Sequence, residues 1–238
     1  MHYAIIAAGQ GSRLMQEGVA LPKPLVRLGD EAMIERLVNI FINNGAEAIS
    51  VIVNEEMPEV KAFLESLNPS IPLKVITKST PGSMHSFYEL SKVIDADKFC
   101  LTTVDTVFSP MEFARFINDF VSDNSADGYM AVTTYVDDEK PLYVSATSDG
   151  DITGFFDTPV NDATFVSGGI YALRRNSLDI LADCMDSEHT RMRDFQRALV
   201  ASAMRLKAYP FEKIIDVDHL ADIEKAQRFL GIACNDLS

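Results

Sequence analysis

The sequence has few cysteines and few basic residues, and it contains no tryptophan. Its 3 cysteines are isolated and odd in number, which favours reduced cytosolic thiols over a disulfide framework or a zinc site. Lys and Arg together number 21 against 35 Asp and Glu, so the net charge at neutral pH is −14. Nucleic acid polymers bind to basic surfaces, and a chain this acidic is therefore not expected to bind them.

Long apolar runs and targeting segments are lacking as well. The chain has no run near the ~18 apolar residues of a membrane span. Its start has neither the basic region nor the apolar stretch of a signal peptide. We therefore expect a cytoplasmic protein without a membrane partner. Its 238 residues, of which 47% are hydrophobic, suit a single domain over residues 1–238 with a substantial core.

The apolar pattern predicts an α/β fold. The predicted strands of the N-terminal part are residues 3–8, 49–53, 73–77 and 99–104. The predicted helices between them are residues 32–41, 58–67 and 83–93. Such β-α-β units predict a Rossmann-like, single-domain three-layer α/β/α architecture, in which helices cover both faces of a mostly parallel, mixed sheet.

The middle of the chain predicts a small β-rich insert. Short connections separate the predicted strands 129–136, 143–147, 152–156 and 165–173. Asp149-Gly150 between two of them is a strong hairpin signal. The remaining predicted elements are helices at 177–185, 192–204 and 220–230 and strands at 206–210 and 214–217.

A glycine loop follows the first predicted strand. Residues 9–13 read Gly-Gln-Gly-Ser-Arg, and residues 22–25 read Pro-Lys-Pro-Leu. The amides of such a loop can bind phosphate, and Arg13 and Lys23 add two cations, so the segment predicts a nucleoside triphosphate site. A Walker loop is excluded because no Gly-Lys is followed by Ser or Thr. The dinucleotide fingerprint is excluded because Leu14 stands where its third glycine belongs.

Two aspartate positions are candidates for a metal site. Asp105 follows the predicted strand 99–104, and ligands of open α/β sheets bind beyond the carboxyl ends of the strands. Asp216 and Asp218 precede the last predicted helix. A turn role stays open for Asp105, and capping of that helix stays open for Asp218. An Asp-x-Asp pattern also occurs in metal-dependent glycosyltransferases, where it normally ends a central strand. Its position here, before the last predicted helix, argues against a glycosyltransferase.

These segments resemble the signature of the nucleotidyltransferases that make nucleotide-activated sugars and alcohols. The residues that carry the signature are Ala7, Ala8, Gly9, Gly11, Ser12, Arg13, Leu14, Pro22, Lys23 and Leu25. Gly82-Ser83 resembles part of the family's nucleoside-contacting loop, and residues 167–171 (Ser-Gly-Gly-Ile-Tyr) resemble the strand that passes the acceptor. The resembling segments extend over nearly the whole chain.

The resemblance implies a role for each set of residues. The nucleotide-binding set is Ala7, Ala8, Gly9, Gly11, Ser12, Arg13, Gly82 and Ser83. The implied catalytic cations are Arg13 and Lys23, the latter expected at the surface. The implied Mg²⁺ ligands are Asp105 and Asp218, with Asp216 as second choice. The implied acceptor-binding set is Asp157, Gly168, Gly169 and Tyr171, where the glycines would leave room for a phosphate ester.

The implied reaction transfers a nucleoside monophosphate from a triphosphate to a sugar 1-phosphate or related acceptor and releases pyrophosphate. Residues 156–159 read Phe-Asp-Thr-Pro and lack the lysine of the Glu-Lys-Pro that sugar-phosphate enzymes often carry. We therefore expect a less basic acceptor pocket, and a cytidylyltransferase for an alcohol phosphate such as phosphocholine is one alternative. A non-catalytic nucleotide-binding module is a second alternative, against which the intact set of cations and aspartates argues.

Overall fold

The computed structural model describes residues 1–137, 139–161, 163–185 and 191–232. Its strands are β1 (His2–Ala7), β2 (Arg27–Leu28), β3 (Glu31–Ala32), β4 (Ala48–Val53), β5 (Leu73–Thr77), β6 (Lys98–Thr103), β7 (Thr106–Phe108), β8 (Gly128–Thr133), β9 (Tyr143–Ala146), β10 (Ile152–Phe156), β11 (Ala163–Arg174), β12 (Leu206–Pro210) and β13 (Ile214–Asp216). Its helices are α1 (Ser12–Gln16), α2 (Met33–Asn43), α3 (Pro58–Leu67), α4 (Ser83–Ser91), α5 (Pro110–Ser122), α6 (Ser177–Cys184), α7 (Met192–Ala201) and α8 (Leu220–Phe229).

Nine strands form one mixed sheet. Seven of them follow in the order β10-β9-β11-β6-β1-β4-β5, and β8 lies between β11 and β12. β6, β1, β4 and β5 are parallel, and β11 runs antiparallel to β6 and joins the two parts. The predicted α/β fold with flanking helices is confirmed, and the predicted β-rich segment continues the same sheet.

The central strand β1 explains why the helices lie on both faces. Every residue of β1 is buried. The strand therefore lacks the alternation of apolar and polar residues that a half-exposed strand shows. Tyr3 and Ile5 face a core that contains residues of α2, α3 and α5. Ala4 and Ile6 face a second core that contains residues of α4, α6 and α7. Both layers of helices that the β-α-β pattern predicts are therefore present.

A third apolar cluster connects the two ends of the chain. Leu14 of α1 and Ile223 of α8 are buried in it together with Val217. Nearby, β7 pairs with β13 in antiparallel register, with Thr106 opposite Asp216. Sequence reasoning missed α1, β2, β3 and β7, because elements this short carry no periodicity. It also gave no range for α5, although Ser109-Pro110 look like a helix start. In the described part of the chain, no helix is both long enough and apolar enough to cross a membrane.

Candidate active site

The glycine loop turns directly after β1. The backbone conformation of the loop accounts for one of its two glycines. Gly11 has a φ of +62°, in the left-handed region that favours glycine. A Cβ atom on Gly11 would also lie 2.8 Å from Cβ of Lys23, whereas Gly9 has open space around it. Gly11 therefore lets the loop pack closely on the Lys23 side chain.

Lys23 is buried, with only 7% of its surface exposed. Its Nζ atom donates to Oδ2 of Asp105 at 2.5 Å and to Oδ1 of Asp218 at 2.6 Å. The expected surface position for this lysine is therefore wrong. The partners lie 82 and 195 positions further along the chain, so no local sequence pattern could have shown the burial.

Lys23 and Asp105 keep each other charged. Burial acts to lower the pKa of Lys23, but the carboxylates of Asp105 and Asp218 outweigh it, and the pKa is raised. Burial acts to raise the pKa of Asp105, but the neighbouring Lys23 ammonium holds that pKa below its usual range. At this centre the Lys23 ammonium and the Asp105 carboxylate are thus both charged at neutral pH, and Asp218 is the second contact of the ammonium.

Asp218 also holds Arg13 of the glycine loop. Nη1 of Arg13 donates to Oδ2 of Asp218 at 2.7 Å. The N-cap of α8 is instead His219, and Oδ2 of Asp222 in the first turn accepts from the backbone N–H groups of Asp218 and His219 at 3.2 and 2.8 Å. The capping alternative for Asp218 is therefore wrong, and its carboxylate is turned to the two cations.

Glu17 fastens α1 to the start of α8. One of its carboxylate oxygens accepts from the backbone N–H of Leu220 at 2.6 Å, and the other lies 2.7 Å from Nδ1 of His219. The hydrogen bond to Glu17 raises the pKa of His219. These contacts fix the segment that carries Asp218 against the segment that carries Arg13. Sequence reasoning missed them, since His219 and Leu220 lie 202 and 203 positions after Glu17 in the chain.

Asp216 lies beside this centre in a different set of contacts. Its Oδ1 accepts from Oγ1 of Thr106 at 3.3 Å, and Oγ1 of Thr106 lies 2.7 Å from Oγ1 of Thr103. The β7–β13 pairing brings these groups together. Of the two aspartates before α8, Asp218 is thus the one that meets Asp105 at a common cation.

Two cavities meet at the centre. The loop cavity has a volume of about 410 Å³ and is lined mainly by the end of β1, the glycine loop, Lys23 and residues 80–86. The α7 cavity has a volume of about 320 Å³ and is lined mainly by β11 and the start of α7. Four residues line both of them: Ser83, Thr103, Asp105 and Asp218. Molecules bound in the two cavities would therefore touch at the two aspartates.

A buried polar network forms one wall of the α7 cavity. Oγ of Ser167 donates to Oε1 of Gln196 at 2.9 Å, and Nε2 of Gln196 donates to the Tyr171 hydroxyl at 3.4 Å. Gln196 is 2% exposed and Tyr171 is 5% exposed. Burial raises the pKa of Tyr171, so its phenol is neutral. All three side chains line the cavity, and the network fixes their orientation.

Different structural constraints apply at the two glycines of β11. The register of β11 against β8 shifts between Ser167 and Tyr171, which marks a bulge. Gly169 lines the α7 cavity with a φ of +72°, and a Cβ atom there would lie 3.2 Å from Oγ1 of Thr106. A Cβ atom on Gly168 would overlap Cδ1 of Ile214. Gly168 therefore packs against the end of the Ile214 side chain, which a larger residue would force to shift.

Of the predicted acceptor residues, Gly169 and Tyr171 line the α7 cavity, whereas Asp157 and Gly168 are not among the described residues that line it. The carboxylate of Asp157 pairs with Arg193 and Arg197 of α7. Lys140, Arg191 and Arg193 do line the cavity. Sequence reasoning missed these basic residues, because they belong to no motif and only the fold brings them to one cavity.

Comparison with known proteins identifies the family of this chain. A model of the nucleotidyl transferase family matches residues 3–231. The chain belongs to that family. The resemblance to this family is thereby confirmed over nearly the full length of the chain.

The chain is also similar to individual family members. It is 30% identical to a 2-aminoethylphosphonate cytidylyltransferase of Lancefieldella rimae over 44% of this chain and 43% of that protein. It is 27% identical to a mannose-1-phosphate guanyltransferase of Yarrowia lipolytica over 74% of this chain and 50% of that protein. The matches thus span half or less of these curated relatives. The fold matches the inositol-1-phosphate CTP transferase of T. maritima with a TM-score of 0.80, at 18% identity and 98% coverage of both chains.

Proposed function

We propose that this chain transfers a nucleoside monophosphate from a nucleoside triphosphate to a small phosphorylated acceptor and releases pyrophosphate. The observation that carries the proposal is the junction of the two cavities. Asp105 and Asp218 line both cavities there, and both form ion pairs with the Lys23 ammonium. Two substrates, one in each cavity, would meet beside that ammonium. The reaction needs such an arrangement of two substrates and a fixed cation.

The triphosphate belongs in the loop cavity. The amides of residues 9–12 and the Arg13 guanidinium would bind its β- and γ-phosphates, and Gly82 and Ser83 border the cavity where the nucleoside would lie. Lys23 would stabilise charge at the α-phosphate. Ala7 ends β1 and Ala8 lines the cavity beside the loop, so both would act through the backbone.

The chemical step needs no protein nucleophile. An ionised oxygen of the acceptor phosphate forms a bond to the α-phosphorus, and the bond from that phosphorus to the bridging oxygen of pyrophosphate breaks. No proton has to move. Catalysis then consists of placing the two substrates and stabilising the charge that develops between them.

Charge balance favours a divalent metal. Asp105 and Asp218 already neutralise Lys23 and Arg13, so a triphosphate needs further positive charge at the junction. The described residues contain no group of three or more metal-ligating side chains. Mg²⁺ nevertheless fits, because it is commonly held by one or two carboxylates together with substrate phosphates. Asp105 and Asp218 would hold it, and it would supply charge neutralisation on the phosphates.

A panel of triphosphates and phosphorylated acceptors tests which two substrates the protein uses. The relative from Lancefieldella rimae is a cytidylyltransferase for a small phosphonate, which supports CTP and a small alcohol phosphate or phosphonate as the first pair to try. Pyrophosphate release is measured for each common triphosphate with sugar 1-phosphates, phosphocholine and 2-aminoethylphosphonate. Release with one pair is expected. Triphosphate binding without release for every pair would favour the regulatory module.

The bulge at Gly169 provides a test of the acceptor position. Gly169→Ala is expected to raise the acceptor KM more than the triphosphate KM, because the new methyl group enters the α7 cavity wall near Thr106. It also costs about 1–2 kcal/mol of folding free energy, since an L-residue is strained at a left-handed φ.

Gly150→Ala is the matched control for that strain. Gly150 has a φ of +83° in the β9–β10 turn, and the nearest atom to its Cβ position, at 3.6 Å, is the carbonyl oxygen of Ala208. Both variants are expected to lower the unfolding midpoint, and only Gly169→Ala to change acceptor use in steady-state kinetics. Equal acceptor KM values in the two variants would remove Gly169 from the acceptor site.

We place the protein in the cytoplasm. The described cysteines, Cys100 and Cys184, form no disulfide and are both buried. Thiols kept in this state are typical of a reducing compartment.

A further inference from the structure

A buried asparagine lies next to the start of the glycine loop. Asn54 follows β4 directly and is 4% exposed. β1 and β4 run parallel, and their register ends with the pair Ala7 and Val53, so Ala8 and Asn54 are the next residues beyond the two strand ends. Asn54 itself is not among the described residues that line the loop cavity or the α7 cavity. It can therefore influence a bound substrate only through the groups that it contacts.

The side-chain amide of Asn54 holds the start of the glycine loop. Its Nδ2 atom donates to the carbonyl oxygen of Ala8 at 3.2 Å, which extends the contact between β1 and β4 by one residue. In a trans peptide the carbonyl and the following N–H point in opposite directions, so the Gly9 N–H points away from Asn54. A Cβ atom on Gly9 would meet no atom beyond its chain neighbours within 4 Å. Packing on that side gives the peptide no support, and the hydrogen bond from Asn54 supplies it.

The side-chain oxygen of Asn54 holds a second loop. Oδ1 accepts from Oγ of Ser79 at 2.9 Å and from the backbone N–H of Glu56 at 2.9 Å. Ser79 belongs to the segment between β5 and α4, and the next residue, Thr80, lines the loop cavity. Oγ1 of Thr80 lies 2.6 Å from Oγ of Ser86, which lines the same cavity. One buried side chain thus connects the glycine loop to the segment before α4.

A turn role alone does not account for these contacts. The hydrogen bond with Glu56 is the usual one of an asparagine in a turn, whose side chain accepts from the backbone N–H two residues further on. The contacts with Ala8 and Ser79 join residues 46 and 25 positions away. They reach two different walls of one cavity, which a turn does not require.

We propose that Asn54 is a positioning residue that sets the spacing between the glycine loop and the segment before α4 in the loop cavity. This inference rests on the proposed function, in which a nucleoside triphosphate occupies that cavity with its phosphates on the glycine loop. Such a ligand contacts both walls at once. Walls that a buried hydrogen-bond network already holds in place need less ordering when the ligand binds, and the affinity is higher.

The first test is triphosphate affinity in Asn54→Ala. Each common triphosphate is titrated calorimetrically with Mg²⁺ and without acceptor. The preferred triphosphate is expected to bind about 10-fold more weakly than to the wild type, because the hydrogen bonds that hold both walls are lost. Asn44→Ala is the matched control, since Nδ2 of Asn44 donates to the carbonyl oxygen of Ile40 at 2.7 Å at the end of α2. The control loses a similar hydrogen bond and is expected to bind the triphosphate like the wild type.

The outcomes of this titration separate the role of Asn54 from the proposed reaction. Weaker binding in Asn54→Ala supports the positioning role even if no substrate pair gives turnover, in which case only the proposed reaction fails. Equal affinities in Asn54→Ala and Asn44→Ala overturn the positioning role, whether or not the wild type turns over. Absence of triphosphate binding in the wild type contradicts both proposals.

The second test distinguishes the two long-range contacts of Asn54. Inorganic tripolyphosphate carries the phosphates without a nucleoside and therefore probes the glycine loop alone. Its affinity is expected to fall in Asn54→Ala and to keep the wild-type value in Ser79→Ala, which loses only the contact with the segment before α4. Affinity for the nucleoside triphosphate is expected to fall in both variants. A merely structural role would change both probes alike, and that pattern would overturn the inference.

The third test needs no ligand. Amide hydrogen exchange, measured by mass spectrometry, is expected to become faster in Asn54→Ala over residues 8–12 and 78–82 together, because one side chain holds both segments. Asn44→Ala is expected to leave exchange in both segments unchanged. Faster exchange confined to residues 54–57 would show a turn role only and would overturn the inference.

Discussion

Replacing Lys23 by alanine is expected to lower kcat by about 10²–10³-fold, the usual effect of removing one fixed group that stabilises developing charge. The variant is also expected to lose about 1–3 kcal/mol of folding free energy, because Asp105 and Asp218 lose the ammonium that both contact. Initial rates of pyrophosphate release and chemical unfolding measure the two effects separately.

A lysine on another part of the surface controls for the loss of charge itself. Lys61 of α3 is about half exposed, and its Nζ atom lies 3.8 Å from Oε1 of Glu65. Lys61→Ala is expected to leave both rate and stability nearly unchanged. If Lys23→Ala stays folded and turns over at the wild-type rate, the assignment of Lys23 to the reaction is wrong.

Asp105→Asn is expected to lower activity by about 10²-fold or more, since a metal on the phosphates contributes several kcal/mol to the transition state. The amide oxygen can still accept the hydrogen bond from Lys23, so the unfolding midpoint should change little. Mn²⁺ binding, followed by electron paramagnetic resonance, gives a readout that is independent of turnover, and it should weaken in the variant.

The matched control is Asp183→Asn, which removes one negative charge from an exposed position on α6. It should bind Mn²⁺ and turn over like the wild type. Wild-type activity that survives excess chelator would exclude the metal role. If Asp105→Asn unfolds while Asp183→Asn does not, the turn alternative for Asp105 is correct instead.

Much of the fold could be read from periodicity. The predicted strands 73–77 and 206–210 coincide with β5 and β12, and the predicted helix 58–67 coincides with α3. The hairpin signal at Asp149-Gly150 lies between β9 and β10, which pair as predicted. These elements bury a regular apolar pattern, and local sequence therefore carries their signal.

The short elements around the site could not be read in this way. The pairing of β7 with β13 depends on residues more than a hundred positions apart, such as Thr106 and Asp216. The bulge at Gly169 and the contacts of Glu17 with α8 are likewise long-range. They determine which side chains meet, and a single sequence gives no register for such pairs.

The sequence by itself determined the family, the α/β class and the identity of the glycine loop, because these depend on residue types at fixed local spacing. Only the tertiary structure decided that Lys23 is buried between Asp105 and Asp218, and that Asp157 pairs with Arg193 and Arg197 of α7. The physical reason is that burial and ion pairing are properties of three-dimensional neighbours. Those neighbours come from distant parts of the chain, and the packing of helices on the sheet selects them.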